Sequence, residues 1–101
     1  MGHVIVQVTV VPLGTATPSL STYVADVEKV LAKYTNIKTM LTPMATILEG
    51  DLQEIFTAVG EMHEAPFLKG AQRVSTRISI DDRRDKQASM EGKVKAVKEK
   101  L

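Results

Sequence analysis

Hydrophobic and polar positions change period several times along the chain, and each change marks an element. Val4, Val6, Val8 and Val10 alternate with Ile5, Gln7, Thr9 and Val11. Period two in β-branched residues predicts a strand with one fully apolar face. Pro12-Leu13-Gly14 ends it, and Thr15 to Ser19 reads as a loop of small residues. Leu20, Tyr23, Val24, Val27, Val30, Leu31 and Tyr34 then recur at helical spacing, with Asp26, Glu28, Lys29 and Lys33 expected toward water. Ser19 or Ser21 is the expected N-cap, and Thr35-Asn36 the expected close. Ile37 to Thr42 and Ala45 to Glu49 alternate again around Pro43-Met44, which predicts a hairpin, since proline cannot donate to a ladder.

Gly50 is expected to end that second arm, and Asp51 with Glu54 three residues on matches a capping-box pattern. Leu52, Ile55, Phe56, Val59 and Met62 form the expected buried stripe of the helix that follows. Pro66 is expected to stop or kink it. Val74, Thr76, Ile78 and Ile80 alternate with Arg73, Ser75, Arg77 and Ser79 as a fourth strand. After the charged loop Asp81 to Lys86, Met90, Val94, Val97 and Leu101 lie on one side of a Lys-rich helix. The order is β-α-β-β-α-β, then α. This predicts an α+β ferredoxin-like sandwich: a four-stranded antiparallel sheet, two helices on one face, and an extra C-terminal helix. With 101 residues, the chain is expected to be a single domain, residues 1–101.

Composition narrows the function. Lys and Arg number 13 against 12 Asp and Glu, so the net charge is +1 and no phosphate-neutralising surface is expected. The lysines of the last helix read as a solvated face, and the aromatic signature of an RNA-binding sheet is absent. Zero Cys excludes disulfides, cysteine-zinc sites and thiol nucleophiles. No apolar run approaches the roughly 20 residues of a membrane-spanning helix. Met1-Gly2-His3 leads directly into the first strand without a basic region or an Ala-x-Ala site, so the expected location is the cytoplasm. His3 and His63 stand apart, no metal-ligand spacing occurs, the serines lack a nucleophile elbow and the glycines form no phosphate loop. No catalytic residue, metal or cofactor is therefore expected. His63 is expected to be a surface helix residue. Arg73 and Arg77 could bind an anion or pair across an interface.

Four aromatic rings and no Trp leave a thin core. The sheet face opposite the helices is expected to carry Ile5, Gln7, Thr9 and Val11 with Arg73, Ser75, Arg77 and Ser79. Its apolar members are a reason to expect a second subunit against it, the alternative being a solvated sheet. One hairpin is dense in polar groups: Thr42, Thr46 and Glu49 bracket Pro43 and Met44. The carboxylate of Glu49 could accept from an amine of a planar heterocycle, and the threonine hydroxyls both donate and accept. A plain hairpin with a solvated Glu explains the same residues.

Three stretches resemble a known family. They are Val4 to Gly14 with the loop and Ser19 after it, Leu41 to Asp51, and Gly70 to Val74 with Ile78 to Arg83. Together they resemble the thiamine-binding, YkoF-like family of small ferredoxin-like proteins over almost the whole chain. Ala45 departs from the family pattern, where Gly is frequent. The resemblance implies non-catalytic binding of thiamine or its hydroxymethylpyrimidine part, as a carrier or sensor. It also implies a homotetramer of dimers whose sheets pack face to face. Carried onto this sequence, it implies that Thr42, Thr46 and Glu49 hold the aminopyrimidine, that Gly14 and Thr15 line the pocket, and that Met44, with Met40 and Leu48, supplies apolar contact. The competing readings are a regulatory or assembly module that binds another ligand or protein, and a dimeric ferredoxin-like enzyme. The Gln, Thr, Ser and Arg of the open strand faces disfavour the enzyme.

Overall fold

A computed structural model describes residues 2–15 and 20–101. The elements are β1 (His3–Pro12), α1 (Ser21–Leu31), β2 (Lys38–Leu41), β3 (Thr46–Asp51), α2 (Leu52–Leu68), β4 (Val74–Asp81) and α3 (Met90–Lys98). The sheet order is β2-β3-β1-β4, with every neighbour antiparallel. This is the α+β ferredoxin-like arrangement expected from the periodicity. The alternation in β1 works as read: Val4, Val6 and Val8 are buried under α1 and α2 with Leu48, Val27, Ile55, Val59 and Met62. Burying these aliphatic side chains is the main term that favours folding.

Register assigns the two faces. Val6 pairs with Leu48 and Ile80, and Gln7 with Ile47 and Ser79. Even-numbered residues of β1, β3 and β4 therefore face the helices, and odd-numbered residues face away. Asp51 caps α2, its Oδ2 accepting from the Glu54 N–H at 3.1 Å.

Several boundaries and placements differ from expectation. Leu20, not Ser21, sits at the N-cap of α1, and Ser21 is its first residue. The expected cap at Ser19 and the loop residues 16–19 lie outside the described residues. α1 ends at Leu31 rather than at Thr35-Asn36, and two turns, Tyr34 N–H to Leu31 O and Ile37 N–H to Tyr34 O, carry the chain into β2. β3 continues through Gly50 to Asp51, because Val4 and His3 of β1 still pair with those residues. α2 passes Pro66 and ends at Leu68; the Pro66 carbonyl accepts from Lys69 and Ala71.

Phe56 is 46% exposed, because the buried stripe runs through Ile55, Ala58, Val59, Met62 and Ala65 and leaves it to one side. Asp26 is not fully in water; its side chain lies within ion-pair range of Lys69 (3.4 Å) and Lys29 (3.8 Å). Ile78 and Ile80 are on the helix side as expected, yet 43% and 42% exposed, since β4 is one of the two edge strands and α1 and α2 sit over the centre.

The face away from α1 and α2 is not wholly open. At one end, α3 docks on it: Lys38 pairs with Glu91, and Lys93 with Asp81 at 2.7 Å. Lys38 and Asp81 both belong to the odd-numbered face. Met90 is buried there, while Val94, Val97 and Leu101 remain exposed. The charged loop pairs within itself, Arg83 with Asp85 and Arg84 with Asp82, which holds both aspartates below the usual carboxylate range.

One contact between α1's end and α2 is testable by pH. Tyr34 donates to Glu61, which also pairs with Lys33. The hydrogen bond to the Glu61 carboxylate raises the Tyr34 phenol from 10.0 to about 12. The neutral phenol is favoured in the fold, so this stabilisation is present below pH 10 and lost as pH rises through about 12. An absorbance titration of tyrosinate is expected to show one late-ionising phenol, and Glu61→Gln to bring it down. An unchanged titration in that variant would contradict the contact.

Candidate functional site

The hairpin between β2 and β3 turns on the side chain of Thr42. Its hydroxyl donates to the Ala45 carbonyl at 2.7 Å and accepts from the N–H groups of Ala45 (3.1 Å) and Met44 (3.3 Å). The backbone closes the same turn, Thr42 N–H donating to Ala45 O at 2.9 Å. The Thr42 hydroxyl is thus already engaged in shaping the turn. Pro43 and exposed Met44 form the tip.

Behind the tip lies a cleft with a cavity volume of about 160 Å³. Its walls come from Val8 and Val10 of β1, Val24 and Val27 of α1, Thr46 of β3 and Met62 of α2. Glu28 also lines it, half-buried, and Thr46 donates to Glu28 Oε2 at 3.0 Å. A buried hydroxyl and a carboxylate therefore face an otherwise aliphatic space. A cavity of about 150 Å³ is enough for benzene, so this one suits a single six-membered ring. From its mouth a shallow groove lined by Val24, Ala25 and Leu41 runs outward between α1 and β2, with Glu28 on both sides of the junction.

The expected site residues do not all meet. Thr42, Met44 and Thr46 line the cleft. Glu49 does not, because residues 46 and 49 of a strand point to opposite faces. It is buried on the other face, with Oε1 accepting from the Met90 N–H at 2.8 Å and Oε2 lying 3.0 Å from His3 Nε2. Gly14 and Thr15 line a separate depression with Leu13, Tyr23 and Arg73. Gly14 has φ of 74°, a turn conformation that suits glycine. Met40 and Leu48 are not in the cleft wall either: Met40 borders α3 on the opposite face, and Leu48 is in the core. His63 is not a plain surface residue, since Nδ1 lies 2.7 Å from Thr76 Oγ1 and its ring meets the edge of Phe67.

Glu28 lines the cleft although its pattern does not point there. It was expected toward water, but it follows Val27 and is four residues after Val24, so it shares their side of the helix. Among the described residues no group of three or more His, Asp or Glu side chains is placed to hold a metal ion. No helix among them is long and apolar enough to cross a membrane.

Fold and cleft together define a small ferredoxin-like protein with a ring-sized aliphatic cleft that carries one hydroxyl and one carboxylate. The chain belongs to the thiamine-binding protein family, whose model matches residues 6–98. It is 51% identical over 100 residues to the UPF0045 protein YqgV of Bacillus subtilis, covering 96% of each chain. Among solved structures, a hypothetical protein of Methanocaldococcus jannaschii superposes with a TM-score of 0.87 at 39% identity, over 98% of this chain and 99% of that one. A candidate thiamine biosynthesis/salvage protein of Thermotoga maritima superposes with a TM-score of 0.75 at 25% identity, over 94% and 98% of the two chains.

Proposed function

We propose that this protein binds thiamine or its hydroxymethylpyrimidine part in the hairpin cleft, without catalysing a reaction on it, as a cytoplasmic carrier or sensor. The observation that carries this reading is the Glu28–Thr46 pair facing a ring-sized aliphatic cleft in a chain of the thiamine-binding family. An aminopyrimidine carries an exocyclic amine that donates and ring nitrogens that accept. The Glu28 carboxylate takes the amine, and the Thr46 hydroxyl can donate or accept beside it. Val10, Val24 and Val27 cover the ring faces where an aromatic side chain would otherwise stack. Met44, unbranched and exposed at the tip, folds over the mouth. The cleft holds the pyrimidine alone, so the thiazolium of thiamine lies in the groove past Leu41. There the Glu28 carboxylate is the nearest acidic group that lines both spaces.

Thr42 serves the site by fixing the turn. Gly14 and Thr15 lie outside the cleft, and Glu49 holds α3. The domain spans residues 1–101 and assembles as a homotetramer of face-to-face dimers, which covers the part of the odd-numbered face that α3 leaves bare, including Gln7 and Ser79.

Calorimetric titration at a protein concentration on the order of 100 µM tests the reading. The expected result is one site per chain with a micromolar constant for thiamine, for hydroxymethylpyrimidine or for both. No heat with either ligand would overturn it.

A further inference from the structure

The charge around the cleft is one-sided. Among the described residues that line it, Glu28 is the one that carries a charge; β1, β2, β3, α2 and the turn contribute only apolar side chains and hydroxyls. The groove outside the mouth adds one cation, Lys29, but its ammonium lies 3.8 Å from Asp26 on the same helix. Asp26 in turn sits 3.4 Å from Lys69. Both cations are therefore drawn to Asp26, and Glu28 keeps the Thr46 hydroxyl as its hydrogen-bond partner. Glu28 is half-buried, so its carboxylate still meets water at the mouth.

A ring seated in the cleft displaces that water. With a neutral ring, the charge is then buried against aliphatic walls with hydroxyls alone, which is costly. With a protonated ring, the same step buries an ion pair. An aminopyrimidine can supply the proton's place, since its ring nitrogens are weak bases. Protonation beside the exocyclic amine gives a flat amidinium with two parallel N–H donors, which match the two oxygens of a carboxylate. An ionised carboxylate has about four acceptor positions. Glu28 can therefore hold Thr46 on Oε2 and still receive both donors.

Resting on the ligand reading above, we infer that the cleft selects flat heterocycles in their protonated, amidinium form. One proton comes from solvent as the ligand binds, sits on its ring nitrogen and faces the Glu28 carboxylate. Binding is therefore linked to pH through the ligand. A carboxylate at hydrogen-bond distance favours a protonated base by about ten- to a thousandfold. The bound ring stays protonated to a higher pH than the free ring. Affinity thus rises as pH falls toward the free ring's own titration, and levels off below it. Thiamine brings a fixed positive charge on its thiazolium, which already offsets Glu28 from the groove, so its affinity depends less on pH.

The test is to titrate hydroxymethylpyrimidine into the full chain at about pH 8.5 and about pH 6.5, where affinity is expected to be about tenfold higher at the lower value. Calorimetry in two buffers of different ionisation heat should count a net proton uptake on binding. The ultraviolet band of the bound ligand should be that of the protonated ring. Glu28→Gln should bind almost equally at both pH values, so that its loss against the unaltered chain is largest at the lower one. A plain neutral hydrogen bond would give the same loss at both. Binding indifferent to pH, or proton uptake with the ring's spectrum still that of the neutral form, would overturn the inference and leave the ligand reading standing. No binding at either pH would overturn both.

Discussion

Replacing Glu28 by Gln is expected to lower affinity for hydroxymethylpyrimidine by about ten- to a hundredfold. Glu28 is the acidic side chain that lines the cleft, and its carboxylate is the acceptor available to the ligand's amine. A hydrogen bond to a charged partner contributes about 1.5–3 kcal/mol, which converts to that range. Gln keeps the size and one acceptor oxygen, so Thr46 retains a partner and the fold is not put at risk. Glu49→Gln is the matched control. Both Glu49 oxygens are already engaged on the far face of the sheet, by the Met90 N–H and by His3, so ligand affinity should not change. Equal loss in both variants, or none in Glu28→Gln, would remove the cleft from the account.

The second large effect is on stability. Glu49→Ala is expected to destabilise the fold by about 1–3 kcal/mol, the cost of leaving a buried donor without its acceptor. The donor is the Met90 N–H, 41 positions away, at the start of α3. The neighbouring ties, Lys38–Glu91 and Lys93–Asp81, are between exposed side chains and hold the helix weakly. Chemical denaturation should therefore show a lower midpoint. Hydrogen exchange should show faster opening of residues 90–98, with α2 little changed. Undiminished protection of α3 would mean that Glu49 does not hold it.

The sequence made most of the architecture legible and the site only in part, for reasons that particular residues make plain. Val4, Val6 and Val8 declare their face because a strand's period is local, and Asp51 with Glu54 declares a helix start because capping spans only three residues. β4's alternation was equally readable, but not that Ile78 and Ile80 would stay bare. That depends on strand order, which puts β4 at a sheet edge, where α2 reaches Thr76 but leaves the end from Arg77 to Asp81 uncovered. Phe56 lies outside the core because the buried stripe of α2 runs to one side of it. The docking of α3 was invisible because it rests on a bond between residues far apart in the chain.

The candidate site was less legible. Thr42, Thr46 and Glu49 looked like one cluster because they are near in sequence. Strand parity separates Thr46 from Glu49, and that signal was available. Glu28 is inconspicuous in the sequence because a charged residue beside an apolar stripe ordinarily faces water. Its spacing from Val24 and Val27 already placed it at the edge of the buried face. The carboxylate beside Thr46 comes instead from α1, which places Glu28 against the hairpin.

The most direct measurement of the central claim is a crystal structure with hydroxymethylpyrimidine bound. The account predicts the ring behind the 42–46 turn, its amine within about 3 Å of the Glu28 carboxylate and Met44 closed over the mouth. A ring held at Gly14 and Tyr23, or beside Glu49 on the opposite face, with the cleft left empty, would contradict it.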